Sequence, residues 1–123
     1  LYLCDVLTQF FRELGVDVDV HATPGSYCDG DYNLNINKQK IVGTAQRVLL
    51  KRGGGQIVLS QACILLDADL EYIVEPVNFY NQICGNPTVV EAHVHTILSE
   101  HVTPMPNVDS LFQQLSQAFI KHV

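Results

Sequence analysis

The sequence predicts an α+β fold with a mostly antiparallel sheet and flanking helices. Three observations carry this expectation. An apolar stripe at helical spacing opens the chain. Four short segments of strand-like pattern follow, joined by turn residues rather than by long crossovers. Helical patterns then close the chain.

Leu3, Val6, Leu7, Phe10, Phe11 and Leu14 recur at i, i+3, i+4, i+7, i+8 and i+11, which predicts an amphipathic helix over residues 1–15 with Gly15 as its stop. Val16, Val18 and Val20 alternate with Asp17 and Asp19 as a half-buried strand. Pro24, Gly25 and Gly30 mark a loop over 21–30. Tyr32, Leu34 and Ile36 alternate with Asn or Asp in a second strand, and Asn37-Lys38 supplies the turn. Residues 41–50 read as a third strand broken by Gly43. Gly53, Gly54 and Gly55 form a loose hairpin turn. Residues 57–66 read as a fourth strand, expected to be central because its second half is nearly all apolar. Asp67 is the expected cap of a short helix from Ala68, which Pro76 limits. A second short helix is expected over 77–84, ended by Gly85 and Pro87. Residues 90–102 lean helical. Asn107 caps a last helix with the stripe Leu111, Phe112, Leu115, Phe119 and Ile120.

The composition narrows the class. The chain is 47% hydrophobic and 16% charged, which supports a packed core and argues against disorder. The formal net charge is −6, and the basic residues are scattered apart from Lys38, Lys40, Arg47, Lys51 and Arg52. That distribution argues against a nucleic-acid partner. No apolar run approaches the roughly 18 residues that a membrane-spanning helix needs. The opening stretch lacks a basic n-region, so the expected compartment is the cytoplasm. Cys4, Cys28, Cys63 and Cys84 contain no CxxC spacing, and reduced thiols are expected. Asn86-Pro87-Thr88 is no glycosylation site, because proline holds the middle position.

The chemistry concentrates in GSYCDGDYNLNINKQKIVGTAQR, residues 25–47. A cysteine sits in a tight polar loop with glycines on both sides, where backbone can approach a ligand closely. Lys40 opens the next strand and folds back across the hairpin toward the Cys28 loop. An ammonium there stabilises a thiolate and then an oxyanion on a bound acyl carbonyl. Cysteine is a competent nucleophile for acyl transfer through a thioester. Cys28 and Lys40 are therefore the candidate catalytic residues. His21 offers an alternative Cys–His pairing. Asp29 and Asp31 flank the cysteine, and turn formation is preferred for them over acid–base work. His93 and His95, with Glu91 nearby, supply too few ligands for a metal, and none is expected. Cys4, Cys63 and Cys84 read as packing residues. Lys51-Arg52-Gly53-Gly54-Gly55 reads as a turn.

Lys40 to Arg47, KIVGTAQR, resembles the K-[IV]-[AG]-G-x-[AS]-Q-R segment of the lipoate–protein ligase and octanoyltransferase family, which shares its fold with biotin protein ligases. Ser26 to Tyr32, SYCDGDY, is similar to the cysteine loop of that family's cysteine-dependent branch. Ala62 to Leu70, ACILLDADL, resembles its strand-to-helix passage. The resemblance covers residues 1–83 well and the rest loosely. Two departures stand out: Asp29 replaces a frequent proline, and Ser60-Gln61 replaces a His-Gly pair.

The resemblance implies that Cys28 carries an octanoyl or lipoyl group as a thioester and that Lys40 sits beside its carbonyl. Gly25, Ser26, Tyr27, Gly43, Thr44, Ala45 and Gln46 are the implied substrate-binding residues. No cofactor is implied, and the acyl group is substrate. The implied partners are an acyl carrier protein and a lipoyl-domain protein. The family's R-R-x-[ST]-G-G-G segment has no counterpart upstream of these motifs. The chain is therefore expected to be a partial catalytic domain, with a core over 1–84 and a helical segment over 85–123, completed by an N-terminal half or by dimerisation. The alternatives are an ATP-dependent lipoate–protein ligase and an inactive binding fragment.

Overall fold

The computed structural model describes residues 2–122. Helix α1 spans Tyr2–Glu13 and buries Leu3, Val6, Leu7, Phe10 and Phe11. Gly15 takes a φ of +84°, the left-handed stop that a side chain would resist. The α+β expectation holds: four antiparallel strands pair in chain order into one sheet, and three α-helices accompany it. Strand β1 is only Asp19–Val20. Strand β2, Leu34–Ile36, is buried throughout, and the register slips beside it between Leu34 and Asn35. Strand β3 runs unbroken over Gln39–Leu50, passing straight through Gly43. Strand β4, Gln56–Ile64, pairs with β3 from Gln56↔Leu50 to Ile64↔Val42.

Several expectations need correction. Tyr32 is exposed and lies outside β2, while Asn33 and Asn35 are buried. Their amides face a polar loop and not solvent, so the alternation of polar and apolar residues was no guide to burial there. The fourth strand is an edge, not the centre. Its apolar content fits a covered strand, but no element among the described residues covers it. Helix α2 is one continuous element, Leu70–Ile83, with Pro76 inside it. Its cap is Asp69, whose carboxylate accepts from the Glu71 and Tyr72 amides. Asp67 instead accepts from the Ser99 hydroxyl at 3.1 Å. Residues 90–102 hold two single 3-10 turns, Ala92–Val94 and Leu98–Glu100, on otherwise extended chain.

Helix α3, Val108–His122, begins where the Asn107 side chain accepts from the Ser110 amide at 2.8 Å. Leu111 and Ala118 are its buried residues, with Leu115 and Phe119 packed against the core. Phe112 and Ile120 are 64% and 72% exposed and leave the expected stripe. Leu98, Leu111 and Ala118 join the same core cluster as Phe10, Phe11, Leu34, Ile41 and Val42, so the segment 85–123 packs into the body formed by the first 84 residues.

Beyond Gly43 the β3–β4 hairpin projects as an arm. Val48, Leu49, Leu50, Ile57, Val58 and Leu59 are all exposed, Leu50 at 82%. An apolar arm with a free strand edge is the kind of surface that packs against further chain. No helix among the described residues is long and apolar enough to cross a membrane.

Candidate active site

The cysteine loop is held by its own polar side chains. Asp29 accepts from the Thr23 amide at 2.8 Å and from Asn33 Nδ2 at 3.0 Å. The Thr23 hydroxyl donates to the Asn35 side-chain oxygen, and Asn35 Nδ2 donates to the His21 carbonyl at 3.0 Å. Asp29 therefore acts as a turn residue, as its place in a tight loop predicted. Within this frame Cys28 is exposed and takes a φ of +41°. Side-chain-bearing residues seldom adopt that region, and a surrounding structure must hold them there.

Lys40 supplies that hold. It is 0% exposed, and its Nζ donates to the Tyr27 carbonyl at 2.5 Å and the Cys28 carbonyl at 3.3 Å. The same ammonium lies 3.9 Å from the centre of the Tyr27 ring. Neither ion pair among the described residues involves it. Burial pushes its ammonium below the ordinary lysine value, while the Cys28, Asp29 and Cys63 groups act in the other direction. The hairpin thus brings Lys40 to the Cys28 loop, through contacts to that loop's backbone carbonyls.

His95 completes the frame. The Tyr27 amide donates to its Nε2 at 3.1 Å, so Nε2 is an acceptor and Nδ1, 3.2 Å from the Ala92 carbonyl, carries the hydrogen. The imidazole stacks on the Tyr27 ring at 5.3 Å, and residue 95 forms a parallel bridge with Lys40. The H-x-H pattern is therefore split. His95 is buried, whereas His93 is exposed beside Glu91 at 3.9 Å. Among the described residues no group of three or more His, Cys, Asp or Glu is placed to hold a metal.

Burial holds the His95 imidazole below its ordinary value, and the nearby Lys40 and His93 charges add to this against the pull of the Ala92 and Glu91 backbone. The unfolded chain then protonates His95 at a higher pH than the folded chain does. Stability is full above the ordinary histidine value of about 6.5 and is lost as the pH falls below it. The thermal midpoint is expected to drop on acidification from neutral pH, with a shallower drop in His95→Gln. An equal drop in both proteins assigns the effect to other groups.

A cleft of about 200 Å³ opens in front of this frame, lined by Tyr27, Cys28, Gly43, Thr44 and Ala45. Gln61, Ala62 and Cys63 of β4 also line it. Cys63 was expected to be a packing residue. It is exposed, because β4 is an uncovered edge, and it stands opposite Gly43 in the ladder. Cys84 is likewise exposed, and only Cys4 of the three is buried. All four thiols are free.

Three of the candidate binding residues lie away from the cleft lining. Gly25 has a φ of +86° and packs against Glu91, whose Oε2 would lie 2.9 Å from an added Cβ. Ser26 is buried. Gln46 is exposed and bonds the Ser60 hydroxyl at 3.2 Å. His21 stays within its own loop, with Nδ1 2.8 Å from the Ala22 carbonyl, and does not line the cleft. A larger apolar groove of about 350 Å³ lies between β4 and the helices α1 and α3, lined among others by Leu3, Phe10, Ile64, Leu111 and Phe119.

His95 and Cys63 are the site residues that sequence reasoning missed. His95 lies 68 positions from the amide it accepts from, so no local pattern reports it. Cys63 had a signal in retrospect, since it falls opposite the glycine of KIVG once the hairpin register is drawn.

No family model matches the chain. The chain is similar to an uncharacterized protein of Cupriavidus necator, 38% identical over 79 residues, covering 55% of this chain and 31% of that protein. It thus spans about a third of the length of that relative.

Proposed function

We propose that this chain is part of an acyltransferase that moves an octanoyl or lipoyl group from a carrier protein to a lysine of a lipoyl-accepting domain. The observation that supports it most is a buried ammonium at the base of a loop that presents an exposed thiol. The Cys28 thiolate attacks the carbonyl carbon of the donor thioester. The carrier thiol leaves as a thiolate and takes a proton from water. The acceptor amine then attacks the Cys28 thioester, loses a proton, and Cys28 leaves as a thiolate. Lys40 contributes positive charge at both steps. The partners in this reading are an acyl carrier protein and a lipoyl-domain protein. The apolar β3–β4 arm is where an N-terminal half or a second copy packs.

The test is mass spectrometry of the full-length protein mixed with octanoylated carrier protein, without ATP. The expected result is a mass gain of one octanoyl group, absent in Cys28→Ala and released by hydroxylamine. Native spectra of the same samples count the chains per particle. Acyl transfer that requires free acid and ATP and survives Cys28→Ala would replace this reading with an ATP-dependent ligase. Binding of the carrier with no transfer under either condition would leave a binding module.

A further inference from the structure

We infer that the Tyr27 hydroxyl and the Lys40 ammonium form a two-donor oxyanion site against Gly43, whose ligand is the carbonyl oxygen of a thioester. This rests on the acyl-transfer reading and adds a catalytic residue to it.

The Tyr27 hydroxyl oxygen is buried and makes no well-formed hydrogen bond among the described residues; its hydrogen-bonding side-chain neighbour is the Cys63 thiol, a weak donor and acceptor. Buried polar atoms are nearly always paired, so an orphan beside a cleft marks a place where a ligand supplies the partner. The rest of Tyr27 is over-determined. Its amide donates to His95, its carbonyl accepts from Lys40, one side of its ring environment is the His95 imidazole, and Lys40 Nζ sits over the ring. The hydroxyl is therefore held in place with no partner stronger than the Cys63 thiol.

Lys40 has three N–H donors, and two of them meet the Tyr27 and Cys28 carbonyls. The two donor atoms converge on Gly43. A Cβ there would lie 3.2 Å from Lys40 Nζ and 3.3 Å from the Tyr27 hydroxyl. Gly43 has no left-handed φ, so its backbone does not require glycine. The missing side chain instead keeps this face open, and a substrate oxygen can come against the backbone between the donors. Tyr27, Cys28 and Gly43 line the same cleft.

Burial, with the Cys63 and Cys28 thiols adding to it, pushes the phenol above its ordinary value. It stays protonated and so remains a donor at neutral pH. During transfer the Cys28 sulfur forms a bond to the carbonyl carbon, and the π pair moves onto the oxygen. Tyr27 and Lys40 donate to that oxygen. Collapse restores the C=O bond and expels the carrier thiolate. No proton leaves Tyr27.

The test compares wild type with Tyr27→Phe, which keeps the ring, the stacking and both backbone bonds. The octanoyl thioester of N-acetylcysteamine serves as donor, and rapid-quench mass spectrometry follows acylation of Cys28. The alkylation rate of Cys28 by iodoacetamide is measured in parallel, because that displacement develops no oxyanion. The acylation rate is expected to fall on the order of 10²-fold, as for loss of one oxyanion donor, with alkylation unchanged. Acylation at the wild-type rate overturns the assignment. A parallel fall in both reactions also overturns it, by showing that Tyr27 only positions the thiol. If wild type gains no acyl group while its thiol alkylates, the acyl-transfer reading itself fails.

Discussion

Lys40→Met is expected to lose acyl capture by on the order of 10²-fold or more while melting close to wild type. The two outcomes separate because the lysine does opposing things. An ammonium with no exposed surface and no carboxylate partner among the ion pairs is costly to bury, and that burial already lowers its proton affinity. Methionine removes this penalty and keeps most of the stem's packing. Against that, the Tyr27 and Cys28 carbonyls lose a charged donor, each at a cost of about 1–3 kcal/mol if left unpaired. These effects offset in stability but add in function. The ammonium is the positive charge at the site, and its bonds hold Cys28 at its left-handed φ. Lys40→Arg is expected to fail as well, since a planar fork does not fit a point-charge position between two carbonyls. Thermal melting together with acylation kinetics reads both quantities. A variant that acylates at the wild-type rate would remove Lys40 from the mechanism.

Gly43→Val is expected to abolish acyl capture while leaving the β3–β4 ladder intact. Valine suits an extended strand, and Gly43 sits in regular pairing opposite Cys63. The obstacle is steric. An added Cβ meets Lys40 Cε at 3.1 Å, Lys40 Nζ at 3.2 Å and the Tyr27 hydroxyl at 3.3 Å. The lysine end cannot swing away without releasing two carbonyls, and the tyrosine cannot tilt without leaving His95. Overpacking of this kind costs about 1–3 kcal/mol, whereas the loss of acyl capture is expected to be complete because the side chain fills the face proposed for the substrate oxygen. Gly43→Ala should show a smaller form of the same effect. Circular dichroism and the acylation assay, run on both variants, check this. Full activity in Gly43→Val would mean that the substrate approaches elsewhere.

Much of the fold was legible because it depends on local rules. The stripe from Leu3 to Phe11, the left-handed Gly15, the Gly53–Gly55 turn and the Asn107 cap each act within a few residues of themselves. Burial decided at a distance leaves no such local mark. Pro76 sits within α2 because a proline deletes one amide bond without having to end a helix whose other bonds and packing persist. Asn33 and Asn35 are buried because Thr23, Asp29 and His21 come back to meet them. Strand β4 has the composition of a central strand but lies at an edge, since apolar content records what a strand can bury and not what this chain offers to cover it.

The same division runs through the site. Residue types and hairpin spacing made Cys28 and Lys40 candidates and brought the lysine back to the cysteine loop, and the resemblance of KIVGTAQR and SYCDGDY to a known family singled out the pair. Only the tertiary structure placed the ammonium on the Tyr27 and Cys28 carbonyls, stacked His95 from the far end of the chain on Tyr27, and turned Cys63 toward the Gly43 cleft. The physical reason is range. Turn preference and strand alternation act over a few residues and leave their mark in sequence, whereas hydrogen-bond pairing and burial depend on partners that the chain brings together only when it folds.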